Sequence, residues 1–225
     1  MRLLTWNCRR GPLETKLRAL EHLRADIVVL TEARRPHDDL PNSHWFGERS
    51  LGVLVLAGPE LRLERPSSGA GCVHRLSVSG AHSFDLIATW TYPPPSYLGA
   101  FTRGMQQLRG TTRRGSTVLM GDLNGGPQFD KPRSRLRWSD AFAQLSIEDL
   151  HSAYHTIRSV THGSEVEATH WHLSDAERPF HIDYCFAPSS WLRQATSLTV
   201  GSHTEWSALS DHAPVILDVD LRTTG

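Results

Sequence analysis

Lysine is nearly absent from this chain, although basic residues are not. Lys16 and Lys131 are the only lysines among 24 Lys and Arg residues, and an equal number of Asp and Glu residues leaves no formal net charge. That balance excludes binding of a polyanion such as nucleic acid through overall positive charge. Any site that binds a polyanion must therefore be a local cluster of basic residues. Arginine makes bidentate contacts with phosphate, but a coding bias explains the arginine excess equally well, and the ratio decides nothing.

Cysteines and long apolar runs are also scarce. Cys8, Cys72 and Cys185 are too few and too scattered for a disulfide framework, and no pair has CxxC spacing. No segment approaches 18 consecutive apolar residues, and the start of the chain lacks the pattern of a signal peptide. We therefore expect a cytoplasmic, monomeric protein with no membrane contact.

The length of the chain suits one domain. Its 225 residues contain no linker, repeat or low-complexity tract, and 39% of them are hydrophobic, which is enough for a sizeable core. We expect a single domain that covers residues 1–225.

Apolar periodicity predicts more strands than helices. Pro12 precedes leucines at helical spacing from Leu13 to Leu23, and further helices are predicted at about 100–110 and 146–156. The predicted strands are 2–8, 25–32, 50–58, 73–80, 83–92, 116–124 with a break at Gly121, 180–189, 197–202 and 215–219. This order predicts an α/β protein with two sheets, helices outside and loops at one end.

Polar side chains stand at the ends of these predicted strands or just outside them, except that Asp183 lies within the predicted strand 180–189. Alone, each is more typical of a turn or a helix cap, but together they form four carboxylates, two carboxamides and one imidazole that would converge if the strand ends share a face. The residues are Asn7, Glu32, Asp122, Asn124, Asp183, Asp211 and His212.

This set of groups matches the needs of phosphodiester hydrolysis. The oxygen ligands of Glu32, Asn7 and Asp211 suit Mg²⁺ or Mn²⁺. Cleavage needs charge stabilisation on the phosphoryl oxygens, an activated water and help for a poor leaving group, which a metal, a carboxylate base and a hydrogen-bonding cation supply.

Five short motifs, in this order, resemble the signatures of a known superfamily. They are "TWN" (5–7), "LTE" (30–32), "GDLN" (121–124), "HIDY" (181–184) and "SDHAPV" (210–215). The chain resembles the endonuclease/exonuclease/phosphatase superfamily, which is similar to DNase I and exonuclease III. The resemblance implies a four-layered α/β sandwich, in which two mixed β-sheets pack face to face with helices outside.

The resemblance also implies roles for the polar residues. Glu32 is expected to be the principal metal ligand, with Asn7 and Asp211 nearby. Asp122 is expected to orient or deprotonate the attacking water, and Asn124 to position it. His212, paired with Asp183, is expected to hydrogen-bond the phosphoryl oxygens.

Two positions depart from the family pattern. Members similar to the abasic-site enzymes have an acidic residue two positions after the Asn of the first strand, where this chain has Arg9. The family usually offers a His or Tyr toward the phosphate from the strand at 83–92, and here the nearest residues are Trp90 and Tyr92. We expect a somewhat altered substrate geometry.

Other residues are candidates for substrate contact. Segment 168–184 interleaves histidine, tryptophan and arginine before Asp183, which favours a substrate-facing loop. The alternative is that Trp171 caps the core and the histidines are solvated. The candidates are Arg9, Arg34, Trp90, Tyr92, His170, Trp171 and Arg178. His151 and His155 lie four residues apart on the predicted helix and could share a metal, but no third ligand has suitable spacing.

The sequence therefore predicts a Mg²⁺- or Mn²⁺-dependent phosphodiesterase that hydrolyses nucleic acid, DNA or RNA, by way of a metal-held phosphate, a carboxylate-activated water and a His–Asp pair. Two alternatives stay open. One is hydrolysis of a smaller phosphoester such as a nucleotide, an inositol phosphate or a phospholipid headgroup. The other is a phosphate-binding module without turnover.

Overall fold

A computed structural model describes residues 1–47, 50–64, 69–70 and 72–221. The strands are β1 (Arg2–Asn7), β2 (Ile27–Arg34), β3 (Ser43–Phe46), β4 (Leu51–Ala57), β5 (Leu61–Glu64), β6 (Gly69–Ala70), β7 (Val73–Gly80), β8 (Phe84–Trp90), β9 (Thr117–Asp122), β10 (His151–Ser152), β11 (His170–Trp171), β12 (Pro179–Phe180), β13 (Asp183–Ala187), β14 (Ala195–Val200) and β15 (Val215–Val219). The helices are α1 (Leu13–Leu20), α2 (Tyr97–Leu108), α3 (Trp138–Ile147), α4 (Ala153–Arg158), α5 (Ser189–Leu192) and α6 (His203–Trp206).

The described strands form two mixed sheets and one short hairpin. The first sheet has six strands in the order β14, β15, β1, β2, β4, β3, and the second has seven, in the order β10, β13, β9, β8, β7, β5, with β6 beside β7. The hairpin is formed by β11 and β12. Each sheet contains one parallel pair, β1 with β2 and β8 with β9, whose strands are joined through α1 and α2.

This topology brings the polar strand ends together. The carboxyl end of a strand and the amino end of its antiparallel neighbour lie at the same edge of a sheet. Thr5 of β1 is paired with Val215 of β15, and Asp122 of β9 is paired with Asp183 of β13. Strand β1 also contacts β9 and β13 of the other sheet, so the two polar edges face each other.

The main core lies between the two sheets. Leu3, Val29 and Leu217 of the first sheet pack in one cluster with Leu86 and Val118 of the second, and all five side chains are fully buried. Burial of these apolar surfaces is the main contribution that holds the sheets face to face.

Helices cover the outer face of each sheet. Successive side chains of a strand point to opposite faces, so Leu4 of β1 faces away from the inter-sheet core and packs with Leu13 of α1. On the second sheet, Phe101 of α2 and Phe142 of α3 pack against Leu119. The resulting order of helix, sheet, sheet and helix confirms the predicted four-layered α/β sandwich.

Several predicted elements differ from the structure. The predicted helix over 146–156 is wrong, because α3 ends at Ile147, Asp149 has a left-handed φ of 60°, and α4 begins only at Ala153. Between them, β10 pairs with β13. The predicted break at Gly121 is also wrong, since β9 continues to Asp122.

Some elements have no apolar run that would predict them. In β3 every residue is half-buried, and β5 alternates between buried and exposed positions over only four residues. Strand β13 is shorter than the predicted 180–189, because Pro179–Phe180 pairs with β11 instead. Across the part of the chain described here, no helix combines the length and apolar character needed to cross a membrane.

Candidate active site

Asn7, the last residue of β1, links the two polar edges. Its Nδ2 donates a hydrogen bond of 2.8 Å to Asp122 Oδ2 and a longer one of 3.3 Å to Glu32 Oε1. Its Oδ1 accepts the backbone N–H of Arg9 at 2.9 Å. One buried carboxamide therefore orients a carboxylate from each sheet.

The turn after β9 holds Asp122 and Asn124 together. Asp122 Oδ1 accepts the backbone N–H of Asn124 at 2.7 Å, and Asp122 Oδ2 accepts its side-chain Nδ2 at 2.9 Å. Gly121 permits this turn because it has a φ of +146° and a Cβ there would lie 1.8 Å from the carbonyl oxygen of Thr89 on β8. The glycine of "GDLN" is required by the close approach of the neighbouring strand.

His212 and Asp183 form a buried pair beside Asp122. The distance from His212 Nδ1 to Asp183 Oδ2 is 2.7 Å, and the two side chains are 6% and 0% exposed. Trp6 Nε1 donates to the carbonyl oxygen of His212 at 2.9 Å, which fixes the backbone of this residue. Because Nδ1 faces Asp183, Nε2 is the imidazole nitrogen left to face a ligand.

Burial and charge shift the pKa values of this cluster. Burial, reinforced by the charge of Asp183, raises the pKa of Asp122 to about 7. Burial by itself lowers the pKa of His212, but attraction to Asp183, its hydrogen bond and the charges of Asp122 and Asp211 raise it to about 9. At neutral pH the imidazole is thus positively charged, and Asp122 can both take and release a proton.

Glu32 and Asp211 are the two carboxylates of the site that remain partly exposed. Glu32 is 22% exposed with a left-handed φ of 51°, at a shift in the β2–β4 register between Leu30 and Ala33. Such an irregularity redirects a side chain. Glu32 Oε2 lies 3.7 Å from Nε of Arg10, and Asp211 Oδ2 lies 3.4 Å from Nε of Arg9.

The site contains groups that could hold a divalent metal. Among the described residues, two sets offer ligand atoms within 4.8 Å of one another, namely Asp122, Asp183 and His212, and His170, Asp211 and His212. A protonated His212 cannot ligate a metal, so the carboxylates are the donors available in these sets, and neither set contains Glu32. Asp183 Oδ1 is buried and has no hydrogen-bond partner in the described structure. Oxygen donors predominate around the edge, which fits a hard cation.

The predicted substrate-contacting residues lie in different environments. Arg9, Arg34 and Arg178 are exposed, and Tyr92 is 40% exposed with its ring 5.1 Å from that of Trp90. The ring of His170 lies 4.2 Å from that of His212, and burial followed by the charge of His212 lowers the pKa of His170 to about 4.

Trp171 does not fit the base-stacking role predicted for it. It is buried and belongs to the outer core cluster that contains Trp6 and Trp206. Its backbone N–H donates to the carbonyl oxygen of Asp211 at 2.8 Å, so β11 supports the loop before β15. The core position is the other interpretation of this tryptophan that the sequence allowed.

Two buried hydroxyl residues that the sequence analysis missed position the site. Thr169 Oγ1 accepts the backbone N–H groups of Ile182 and Asp183, each at 3.0 Å. Ser210 Oγ donates to the carbonyl oxygen of Asn7 at 2.8 Å and accepts the N–H of His212 at 3.0 Å. Ser210 is the first residue of "SDHAPV", and its local turn-forming capacity is a signal that could have identified it.

Comparison with known families decides the identity of the fold. Residues 4–212 match the Endonuclease/Exonuclease/phosphatase family. The chain belongs to this family. A search of curated proteins returned no match.

Several solved structures have the same fold as this chain. The endonuclease domain of TRAS1, a telomere-specific non-LTR retrotransposon, has a TM-score of 0.71 at 13% identity and covers 98% of both chains. The 3′–5′ exonuclease NExo from Neisseria meningitidis has a TM-score of 0.68 at 19% identity, covering 98% of this chain and 100% of its own. An AP endonuclease from Archaeoglobus fulgidus has a TM-score of 0.67 at 16% identity, with the same coverage. At these identities the similarity to the solved structures shows a shared fold and nothing further.

Proposed function

We propose that this protein is a divalent-metal-dependent phosphodiesterase that hydrolyses nucleic acid. The observation that carries the proposal is the buried His212–Asp183 pair beside Asp122 at an edge where both sheets supply polar groups. Family membership supports phosphoester hydrolysis as the reaction class. Structural neighbours named as an endonuclease domain, a 3′–5′ exonuclease and an AP endonuclease favour nucleic acid as the substrate.

In this proposal each buried residue acts at a defined atom. Asp122 accepts the proton of the attacking water, because its pKa of about 7 suits a base at neutral pH. Asn124, held by two bonds to Asp122, orients that water. His212 donates from Nε2 to a phosphoryl oxygen, and its positive charge is maintained by Asp183 and stabilises negative charge in the transition state.

Glu32, Asn7 and Asp211 are the residues that would hold Mg²⁺ or Mn²⁺. When bound, the ion supplies positive charge at the phosphate and stabilises charge that develops on its oxygens. Arg9 and Arg10 pair with Asp211 and Glu32 in the described structure and are exposed, so they could exchange these carboxylates for substrate phosphates.

The substrate path we propose follows the exposed residues around this edge. Arg34 and Arg178 would contact phosphates, and Trp90, Tyr92 and His170 would contact sugar or base surfaces. We also propose that the protein is a cytoplasmic monomer. Its three free, buried cysteines are compatible with a reducing compartment.

The test is hydrolysis by purified protein on supercoiled plasmid, single-stranded DNA, RNA, an abasic duplex and small phosphoesters, with Mg²⁺, Mn²⁺ or EDTA. Glu32→Gln removes a charge from the proposed metal site, and Glu14→Gln on the exposed face of α1 is the matched control. Metal-dependent cleavage of a polynucleotide that disappears only in Glu32→Gln supports the proposal. Turnover of small phosphoesters alone, or equal activity in both variants, would contradict it.

A further inference from the structure

Two imidazoles and a carboxylate meet outside the proposed catalytic set, where α4 is followed by the loop 159–167. We call His155, His162 and Glu165 the His155 cluster. Their ligand atoms all lie within 4.8 Å of one another, and the rings of His155 and His162 are 3.6 Å apart. His155 Nε2 lies 2.9 Å from Glu165 Oε1, and these two side chains are 7% and 8% exposed.

Two buried nitrogens in and beside the cluster have no hydrogen-bond partner among the described residues. One is Nδ1 of His162, and the other is Nε2 of His181, a side chain that is 3% exposed and whose ring lies 5.8 Å from that of His155. A buried polar atom without a partner costs free energy, so such atoms usually mark a bound water or ion. In and beside the His155 cluster, these two ring nitrogens are therefore available to contact a water or an ion.

The surroundings orient the cluster as a ligand set. Ser152 Oγ lies 2.7 Å from His155 Nδ1 and can accept a proton from it, so a metal can replace the Nε2 proton that faces Glu165. The backbone N–H of Gly163 lies 3.0 Å from both oxygens of Glu165. Metal-ligating histidines typically have their second nitrogen fixed in this manner.

The surroundings also shift the pKa values of two members of the cluster. Burial acts to raise the pKa of Glu165, but the hydrogen bonds from His155 and Gly163 lower it to about 2. Burial, followed by the charge of His155, lowers the pKa of His162 to about 4.

We propose that His155, His162 and Glu165 bind a Zn²⁺ ion. Imidazole and carboxylate are ligands that Zn²⁺ prefers, and three protein ligands leave one position for water or His181. A cavity of about 210 Å³, lined by Glu165, Glu167 and His181 among others, lies beside the cluster and has room for that water.

The proposed ion would stabilise the approach to the active-site edge. It would tie α4 to the loop 159–167, which leads directly to Thr169 and the β11–β12 hairpin. Thr169 Oγ1 holds the backbone of Asp183, and His181 Nδ1 contacts the carbonyl oxygen of Glu167 at 2.9 Å. The role we infer is structural and separate from the metal that the proposed hydrolysis would use.

The test is Zn²⁺ binding by metal-stripped protein, measured by competition with a chromophoric chelator and by bound metal after dialysis. His162→Gln and Glu165→Gln each remove one ligand. His151→Gln is the matched control, because His151 contacts Asp149 instead, and His170→Gln tests the imidazole next to His212. We expect His162→Gln and Glu165→Gln to weaken one Zn²⁺ site by at least about 100-fold, and the two controls to leave it unchanged.

A second measurement does not depend on the variants folding well. Co²⁺ bound to wild-type protein should show the absorption of a four-coordinate ion with nitrogen ligands, and excess Mg²⁺ should not displace it. Zn²⁺ should also raise the Tm of wild-type protein and of His151→Gln, but not of His162→Gln. The proposal is overturned if wild-type protein binds no Zn²⁺ after dialysis, if binding survives in both ligand variants, or if it is lost in His170→Gln instead.

Discussion

The side chain of Asn7 reaches from one sheet to the other and donates a hydrogen bond of 2.8 Å to Asp122 Oδ2. Asn7 is the last residue of β1, and Asp122 is the last residue of β9. Both are buried, so the bond has little competition from water and determines where the carboxylate points. The relative position of the two sheets thus becomes part of the site geometry.

Removal of this bond should lower both stability and activity. In Asn7→Ala a buried carboxylate loses one donor, which should cost about 1.5–3 kcal/mol in the free energy of unfolding, measured by urea denaturation. Asn7→Asp keeps the shape but places a second carboxylate beside Asp122, so we expect a larger loss of hydrolysis than in Asn7→Ala. Wild-type rates in both variants would show that the bond between the sheets has no part in the reaction.

The His212–Asp183 pair should give hydrolysis a bell-shaped pH dependence. Asp122 must be ionised to accept a proton, so activity should rise with pH through about 7, the pKa to which burial and Asp183 raise it. His212 must keep its proton, so activity should fall as pH rises through its pKa of about 9. Burial lowers this pKa, but attraction to Asp183, its hydrogen bond and the charges of Asp122 and Asp211 together outweigh burial.

Two variants, Asp183→Asn and His212→Asn, test the acid and alkaline limbs of this profile. It removes the negative charge that raises the pKa of both Asp122 and His212, so both limbs of the profile should move to lower pH. His212→Asn should remove the alkaline limb and lower the rate by at least about 100-fold. A profile that does not move in Asp183→Asn, recorded at saturating metal, would mean that other groups titrate.

Gly121 should tolerate no side chain. A Cβ at this position would lie 1.8 Å from the carbonyl oxygen of Thr89, which is backbone and cannot move without disruption of β8. Gly121→Ala should therefore lose more than about 4 kcal/mol or fail to fold. Gly110→Ala is the control, because Gly110 also has a positive φ, of +76°, but has open space around it, and it should cost only about 1 kcal/mol. Equal Tm losses in the two variants would contradict the steric argument.

Local sequence signals predicted the centre of the fold and failed at its periphery. β1 and β2 were predictable because their apolar residues are continuous, and α1 because Pro12 precedes leucines at helical spacing. α3 was not, since Arg137 offers no side-chain cap and the N–H groups of Trp138 and Ser139 are instead accepted by Asp130, at 2.6 and 2.9 Å.

The candidate site was likewise predictable only in part. The polar residues at the strand ends were visible because each follows or precedes an apolar run. The partners that position them, such as Thr169 for Asp183, come from other segments, and only the topology brings them near. The His155 cluster was not predictable for the same reason. The four-residue spacing pairs His155 with His151, which precedes α4 and contacts Asp149 instead.

The distant cap of α3 gives a prediction of its own. Asp130→Ala leaves the N–H groups of Trp138 and Ser139 without an acceptor and should cost about 0.5–2 kcal/mol. Burial acts to raise the pKa of Asp130, but these N–H groups and Arg137 lower it overall. A lowered pKa stabilises the fold above the carboxyl's ordinary range and is lost as pH falls below it, so the Tm gap between Asp130→Ala and wild type should shrink in acid. A gap that stays constant down to the lowest pH at which the protein folds would exclude the carboxylate as the cap.

Arg9 is the residue that should distinguish substrate binding from chemistry. It is exposed, lies 3.4 Å from Asp211 and donates to Ser174 Oγ at 2.7 Å, so it connects the proposed metal edge to the exposed turn after β11. Arg9→Ala should raise the KM for a polynucleotide more than it lowers kcat, and should reduce the slope of log affinity against log salt by about one phosphate contact. Arg114→Ala removes the same charge near the amino end of β9, the opposite end from Asp122, and should change neither quantity. If both variants weaken binding equally, the effect comes from the overall charge of the protein, and the phosphates do not follow the edge that Arg9 occupies.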